Sequence, residues 1–308
     1  MTRLLIAELR RVAARRLVRL TVVLACLGIA AGGVAAFAFS GSLSEAEYQQ
    51  RVRDADARQV AQQERSEACL RARGISRGDE ISEDIARECF PDNEARADDP
   101  RFRRTRLQGI LQGVSGALAV VGWALGASLV GAEFVSRSMT TLLTWEPRRI
   151  RVFLAKCAAV VVAVALLALG VLALVTLAMA PSLALHSAPL RPGDPSWASL
   201  AGVIGRGVAL TAIASGIGFA IATVGRNTAV ALGAGFAYII VLENILGSSI
   251  ERWRRWLLLG NVIVFVSGEN SGGDVPGRSV AGAGAFLAAV AITLLVGAAG
   301  SFRTRDLA

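Results

Sequence analysis

Two side chains in this sequence have the types needed for nucleophilic hydrolysis: Ser115, in the run Gly113-Val114-Ser115-Gly116, and His186, the only histidine. A serine attacks a carbonyl only when a base lies within hydrogen-bond reach, and histidine is the usual base. Here the serine falls inside a long apolar run, whereas the histidine sits between Pro181 and Pro189 in a turn-rich stretch, so the two are not expected to meet. One histidine cannot make a metal site alone, and no HExxH, CxxC or paired carboxylates occur within an apolar run. The single lysine, Lys156, follows Ala155 and precedes Cys157. A phosphate-cradling loop places its lysine directly after glycine. The chain is therefore expected to be no enzyme by itself and to bind no metal or cofactor.

The elements that carry these residues are apolar. Of 308 residues 54% are hydrophobic, and the mean hydropathy is +0.52, too apolar for a soluble domain with one core. In hydrocarbon every backbone N–H and C=O must be paired within its own segment, so a spanning helix needs roughly 20 apolar residues. Six stretches qualify: 20–39, 107–132, 152–180, 199–224, 228–246 and 280–301. The expected fold is all-α, a polytopic membrane protein of six spans. The first apolar run is too long for the core of a signal peptide and is read as a retained anchor.

Orientation follows from the positive residues held on the cytoplasmic side. Arg3, Arg10, Arg11, Arg15, Arg16 and Arg19 put the N-terminus inside, as a basic interfacial helix over 1–19. Six spans return the 302–308 tail, with Arg303 and Arg305, to the same side. Segments read as inside carry 14 positive residues against four negative, whereas 41–106 carries 13 arginines against 15 acids. The net charge of +9 is thus a membrane-orientation signal. Nucleic-acid binding is not expected, because the arginines hug span ends. With 32 arginines, one lysine and many Ala and Gly, the chain reads as the product of a GC-rich bacterial genome and is placed in the bacterial cytoplasmic membrane.

The outer segment 40–106 predicts a helical hairpin. Ser42 with Glu45, and Ser44 with Glu47, both have capping-box spacing, and a helix from there is expected to run to Gly74. A second starts near Asp79 and stops at Pro91, stacking Ile81, Ile85 and Cys89 on one face. Cys69 and Cys89, one on each arm, are expected to form a disulfide, with two free thiols as the alternative. Cys26 and Cys157 read as apolar packing residues. The loop 181–198 carries little information. In 247–279 an apolar run of about ten residues is too short to span and is expected to lie in the interface or to dip in and return, with Trp253 and Trp256 in the headgroup layer. Arg206 and Glu243 fall at similar depths of the fourth and fifth spans, which suggests an intramembrane ion pair, snorkelling to the surface being the alternative. Gly109 and Gly113, Gly122 and Gly126, and Gly216 and Gly218 are small residues that permit close helix approach.

The short inner link over 133–151 is the most informative segment. The run GASLVGAEFVSRSMTTLLTWEPRRIRVFLAK, ending at Lys156, resembles the signature of permease subunits of ABC-2-type exporters, which are ATP-binding cassette transporters. Gly131, Glu133, Thr141, Leu142, Leu143, Pro147, Arg149 and Lys156 match that pattern, while Met139 and Thr140 replace its usual Gly-Thr. The resemblance extends generically to the whole layout: basic first helix, six spans, link and dipping segment. It implies that the link is a coupling helix docking onto a separate ATPase subunit, that ATP and Mg are bound by that partner, and that two permeases, identical or sister copies, pair with two ATPases. On this reading Arg137, Arg148, Arg149 and Arg151 face acidic groove residues, Met139, Leu142, Leu143 and Trp145 supply apolar contacts, and Pro147 fixes the corner; the alternative is that the arginines hold span ends at anionic lipid. The scarcity of charge in the spans favours an amphipathic or lipid-like cargo. Two other readings are a sensor or immunity protein using the outer hairpin, and an intramembrane serine protease of the rhomboid type, which Gly113 to Gly116 resembles.

Overall fold

The structure is a computed structural model that describes residues 16–73, 89, 100–136, 148–246, 255–268 and 277–304. Its elements are helices: α1 Arg16–Phe39, α2 Glu45–Ala72, α3 Arg104–Val135, α4 Arg149–Ala178, the short α5 Ala180–Leu185, α6 Trp197–Gly225, α7 Thr228–Ala237 running into a π-helix Tyr238–Leu246, α8 Leu258–Ser267 and α9 Val280–Thr304. Among the described residues there is no strand, only an isolated bridge between Phe102 and Ser187. The fold is therefore all-α. Five segments are long and apolar enough to cross a membrane: Val18–Phe39, Arg104–Val135, Arg149–Leu185, Trp197–Gly225 and Val280–Thr304. The expected sixth span, 228–246, keeps regular α geometry for only ten residues and is π-helical over the next nine. Two compact units result. One comprises Met1–Ala35, Arg104–Ala180 and Leu190–Ala308; the other comprises Ala36–Arg103 and Pro181–Pro189.

The first unit is a bundle whose tightest contact is α3 against α6. Small residues make it possible. A methyl group on Gly126 would run into the Ser215 carbonyl, one on Gly122 would meet Thr211 Cγ2 at 2.8 Å, and one on Gly218 would strike the Trp123 carbonyl. Gly207 faces Ser115 in the same way. Gly109 and Gly113 have open space where a side chain would stand, so of the candidate close-approach glycines on α3 only Gly122 and Gly126 lie in this seam. The hydroxyls along it are satisfied within their own helices: Ser115 Oγ donates to the Leu111 carbonyl at 2.7 Å and Thr211 Oγ1 to Gly207 at 2.8 Å. No water is needed there, which suits a bilayer. At the link-bearing end a buried cluster of Leu129, Val130, Phe153, Phe219, Ala222 and Phe302 joins α3, α4, α6 and α9. On the other side of the helices, Leu24, Leu27, Leu166, Leu177, Ile240 and Val296 stand exposed, as chains facing lipid do and those facing water rarely do in such numbers.

Turns close where local chemistry allows. Arg226 adopts a left-handed φ of 51° and Asn227 caps α7 by accepting from the Ala229 amide at 2.8 Å, so two residues reverse the chain between α6 and α7. Ser196 caps α6 by accepting from the Ser199 amide at 3.1 Å.

In the second unit, α2 starts on a complete capping box. The Glu47 amide donates to Ser44 Oγ at 3.3 Å, and the Ser44 amide donates to Glu47 Oε2 at 3.0 Å. Of the two serines with the right spacing it is Ser44, not Ser42, that caps. The Ser44 hydroxyl, which also donates to Glu47 Oε2 at 2.8 Å, and the Ser44 amide hold the Glu47 carboxyl below the usual carboxylate range. The helix ends at Ala72, two residues short of Gly74. Cys69 and Cys89 are joined by an intramolecular disulfide with Cα atoms 5.7 Å apart, and Ser66 Oγ donates to the Cys89 carbonyl at 2.7 Å. Of the expected second arm only Cys89 lies among the described residues. Arg101, 3% exposed, reaches Glu45 at 2.8 Å and lies over the Tyr48 ring.

Candidate functional site

The link expected to be functional connects the last turn of α3 to the first turn of α4, and the structure describes its two ends. Arg137, Met139, Thr140, Thr141, Leu142, Leu143, Trp145 and Pro147 lie outside the described residues. Its flanks are tied together: Lys156 Nζ meets Glu133 Oε2 at 2.7 Å, with the side chains 6% and 16% exposed. Helical spacing explains why. Glu133 sits two residues before the end of α3, about half a turn, and Lys156 seven residues into α4, about two turns, so the two meet at the base of the link. An ammonium and a carboxylate drawn out of water at this depth are tolerable only as a pair.

Beneath the pair lies an aromatic base. Phe153 of α4 packs edge-on against Phe219 of α6, ring centroids 5.4 Å apart, and against Phe302 of α9 at 5.8 Å; Phe134 of α3 meets the same Phe302 at 6.4 Å. Gly131 touches Thr228, so α7 also starts on this platform. The flanking cations divide by exposure. Arg148 and Arg151 are exposed, while Arg149 turns back, its Nη1 donating to the Arg303 carbonyl over a long 3.5 Å. The link thus emerges from a base shared by α3, α4, α6 and α9.

The two intramembrane charges read as partners do not pair with each other. They occupy opposite ends of α8. Glu243 Oε1 accepts from the Leu259 amide at 2.7 Å, and the Tyr238 hydroxyl accepts from the Leu258 amide at 3.0 Å, which satisfies two of the free N–H groups at the α8 start. Arg206 lies at the far end, its guanidinium packed where a side chain on Gly268 would stand. A ten-residue helix is about 15 Å long, so α8 keeps the two charges apart while each complements its own end of the helix dipole. The same length makes α8 too short to cross a bilayer. Leu257 begins it and Gly268, at a φ of 74°, ends it.

Ser115 and His186 are each committed elsewhere. Ser115 is fully buried in the α3–α6 seam, whereas the His186 ring lies 2.8 Å from Ser40 Oγ and stacks on Phe37. Among the described residues no group of three or more His, Cys, Asp or Glu is placed to hold a metal ion.

The pairing of Glu133 with Lys156 is what sequence reasoning missed. Its signal was present: the sole lysine and the acid at the start of the link both fall on helix turns that enter the apolar bundle, where neither charge is tolerable alone. Compared with models of known protein families, with curated proteins and with solved structures, the chain gives no match.

Proposed function

We propose that this chain is the membrane-spanning permease subunit of a bacterial ABC-type exporter, lying in the cytoplasmic membrane with six spans and both termini inside, and driven by ATP hydrolysis on a separate subunit docked at the link over 137–147. The observation that carries the reading is the buried Glu133–Lys156 pair. A link on two independent arms would flex without effect. With its arms clasped, a push on it moves the ends of α3 and α4 together, and the glycine seam makes α6 follow α3.

In this mechanism ATP binding draws two ATPase subunits together, and the differing contacts of their two states with the link bias which face of a permease pair is open. A ligand or partner shifts such an equilibrium only by its differential affinity for the two states. The exposed Arg148 and Arg151 supply charge to an acidic docking groove. The engine has to come from outside, since the only lysine is held in the ion pair and precedes a cysteine in place of Ser or Thr. The lipid-facing surface and the low charge of the spans favour an amphipathic cargo.

The test is purification of the chain from its native membrane under mild conditions, followed by an ATPase assay. Wild type is expected to bring down an ATP-hydrolysing subunit, with Leu142→Asp removing it. Isolation of the intact chain with no such subunit would favour the sensor reading and remove this one.

A further inference from the structure

Among the described residues Arg206 is an intramembrane charge with no ion-pair partner. It lies nine residues beyond Trp197, the first residue of α6, about 13 Å along the helix. Its Nε is buried and has no hydrogen-bond partner. Among the described residues no carboxylate pairs with it, and Glu243 is engaged at the other end of α8.

Arg206 is partly exposed, and its guanidinium is held close to the backbone. It is folded onto Gly268, with Gly202 one turn earlier on α6 against its Nη1. The preceding residue, Ser267, accepts from Gln112 Nε2 at 3.2 Å, and Gln112 is itself eight residues into α3. The charge is thus held at the level of that contact. The C-terminal dipole of α8 offsets only a fraction of a unit charge, and a cation left in an apolar setting with an unanswered N–H is costly. Among the described residues an apolar cluster lies close by: Leu210, one turn along α6, packs with Val266 and Leu287.

We propose that Arg206 binds the anionic headgroup, phosphate or carboxylate, of an amphiphile whose tail lies in the bilayer. A guanidinium suits such oxyanions because its planar fork donates two parallel hydrogen bonds. Gly202 and Gly268 provide the slot, since a side chain at either would press on the guanidinium. An amphiphile fits better than a free hydrated anion because its tail already partitions into this environment. The anion comes either from a resident anionic lipid or from a transiting cargo. The inference needs only insertion in a bilayer, so it stands or falls separately from ATPase coupling.

The test uses the full chain in detergent micelles and reads thermal stability during titration with phosphatidylglycerol, with dodecyl phosphate, and with phosphatidylcholine as uncharged control. A stabilisation by phosphatidylglycerol alone assigns a resident lipid, one by dodecyl phosphate a cargo-like anion. Arg206→Gln is expected to weaken the half-saturation by roughly tenfold or more, the scale of losing a charge-assisted contact, with Arg206→Lys intermediate. Equal effects of charged and uncharged lipids, or an unchanged response in Arg206→Gln, overturn the proposal. So does a Glu269→Gln or Asp274→Asn variant that binds phosphatidylglycerol at least tenfold more tightly than wild type, since the chain's own carboxylate would then be answering the charge. Should Arg206→Gln not fold, a photoreactive phosphatidylglycerol carrying its diazirine beside the phosphate decides on wild type: cross-links to peptides containing Arg206 or Gly268 support the site, and cross-links only elsewhere refute it.

Discussion

Replacing Lys156 by Met leaves the Glu133 carboxylate without its counter-charge, 16% exposed, while Glu133→Gln leaves the Lys156 ammonium 6% exposed. Breaking a buried pair from one side costs about 3–5 kcal/mol. We therefore expect Lys156→Met to lose about 3 kcal/mol and Glu133→Gln somewhat more, because the ammonium is the deeper of the two. The double variant Glu133→Gln/Lys156→Met removes both charges and is expected to fall within about 1 kcal/mol of wild type, a coupling of about 5 kcal/mol. The assay is reversible unfolding in mixed micelles, paired with transport or growth. If either single change lies within 0.5 kcal/mol of wild type, or if the losses simply add in the double variant, the clasp is not a buried pair. A double variant that is stable yet inactive would show that the charges serve the partner and not only the bundle.

Other expectations follow from the same geometry. Gly126→Ala drives a methyl group into the Ser215 carbonyl and should cost about 1–3 kcal/mol or split the α3–α6 pair, whereas Gly113→Ala, with open space around it, should be tolerated; thermal stability of the two variants makes the comparison. Mass spectrometry of protein kept from reductant should find Cys69 and Cys89 linked, and replacing both by Ser should lower stability by about 3 kcal/mol from loop-closure entropy over a separation of 20 residues. The Glu47 carboxyl is held below its ordinary range by Ser44, so its contribution is present above the unfolded carboxylate range and fades as pH falls through its lower folded value. Protection factors of the amides at the start of α2, corrected for the intrinsic rate, should therefore fall under acid in wild type, and Ser44→Ala should abolish that dependence; an unaltered profile would reject the capping box.

Much of the architecture was legible because bilayer physics leaves so few choices. The spans at 107–132, 152–180, 199–224 and 280–301 return as α3, α4, α6 and α9, each extended where Arg104, Arg149, Trp197 or Thr304 lets the helix run past the apolar stretch. The pairing of Cys69 with Cys89 was legible because both fall in the segment read as outside, one on each arm of the expected hairpin. Hydropathy did not reveal the π-helical stretch Tyr238–Leu246, since a residue inserted in the hydrogen-bond ladder leaves composition unchanged. Nor did it separate Arg206 from Glu243. Depth along two helices says nothing of what lies between them, and here α8 intervenes. The Gly122–Gly126 seam stood out no more than Gly109 with Gly113, because spacing records which face could pack and not which face does. The coupling residues Met139 to Pro147 rest on resemblance alone, while the clasp at their base rests on geometry.

Site-specific photocross-linking from Leu142 in native membranes, with and without ATP, puts the decisive question. A docked engine predicts cross-links to an ATP-hydrolysing subunit whose positions shift between the nucleotide-free and ATP-bound states. Cross-links to phospholipid alone, identical in both states, would contradict it.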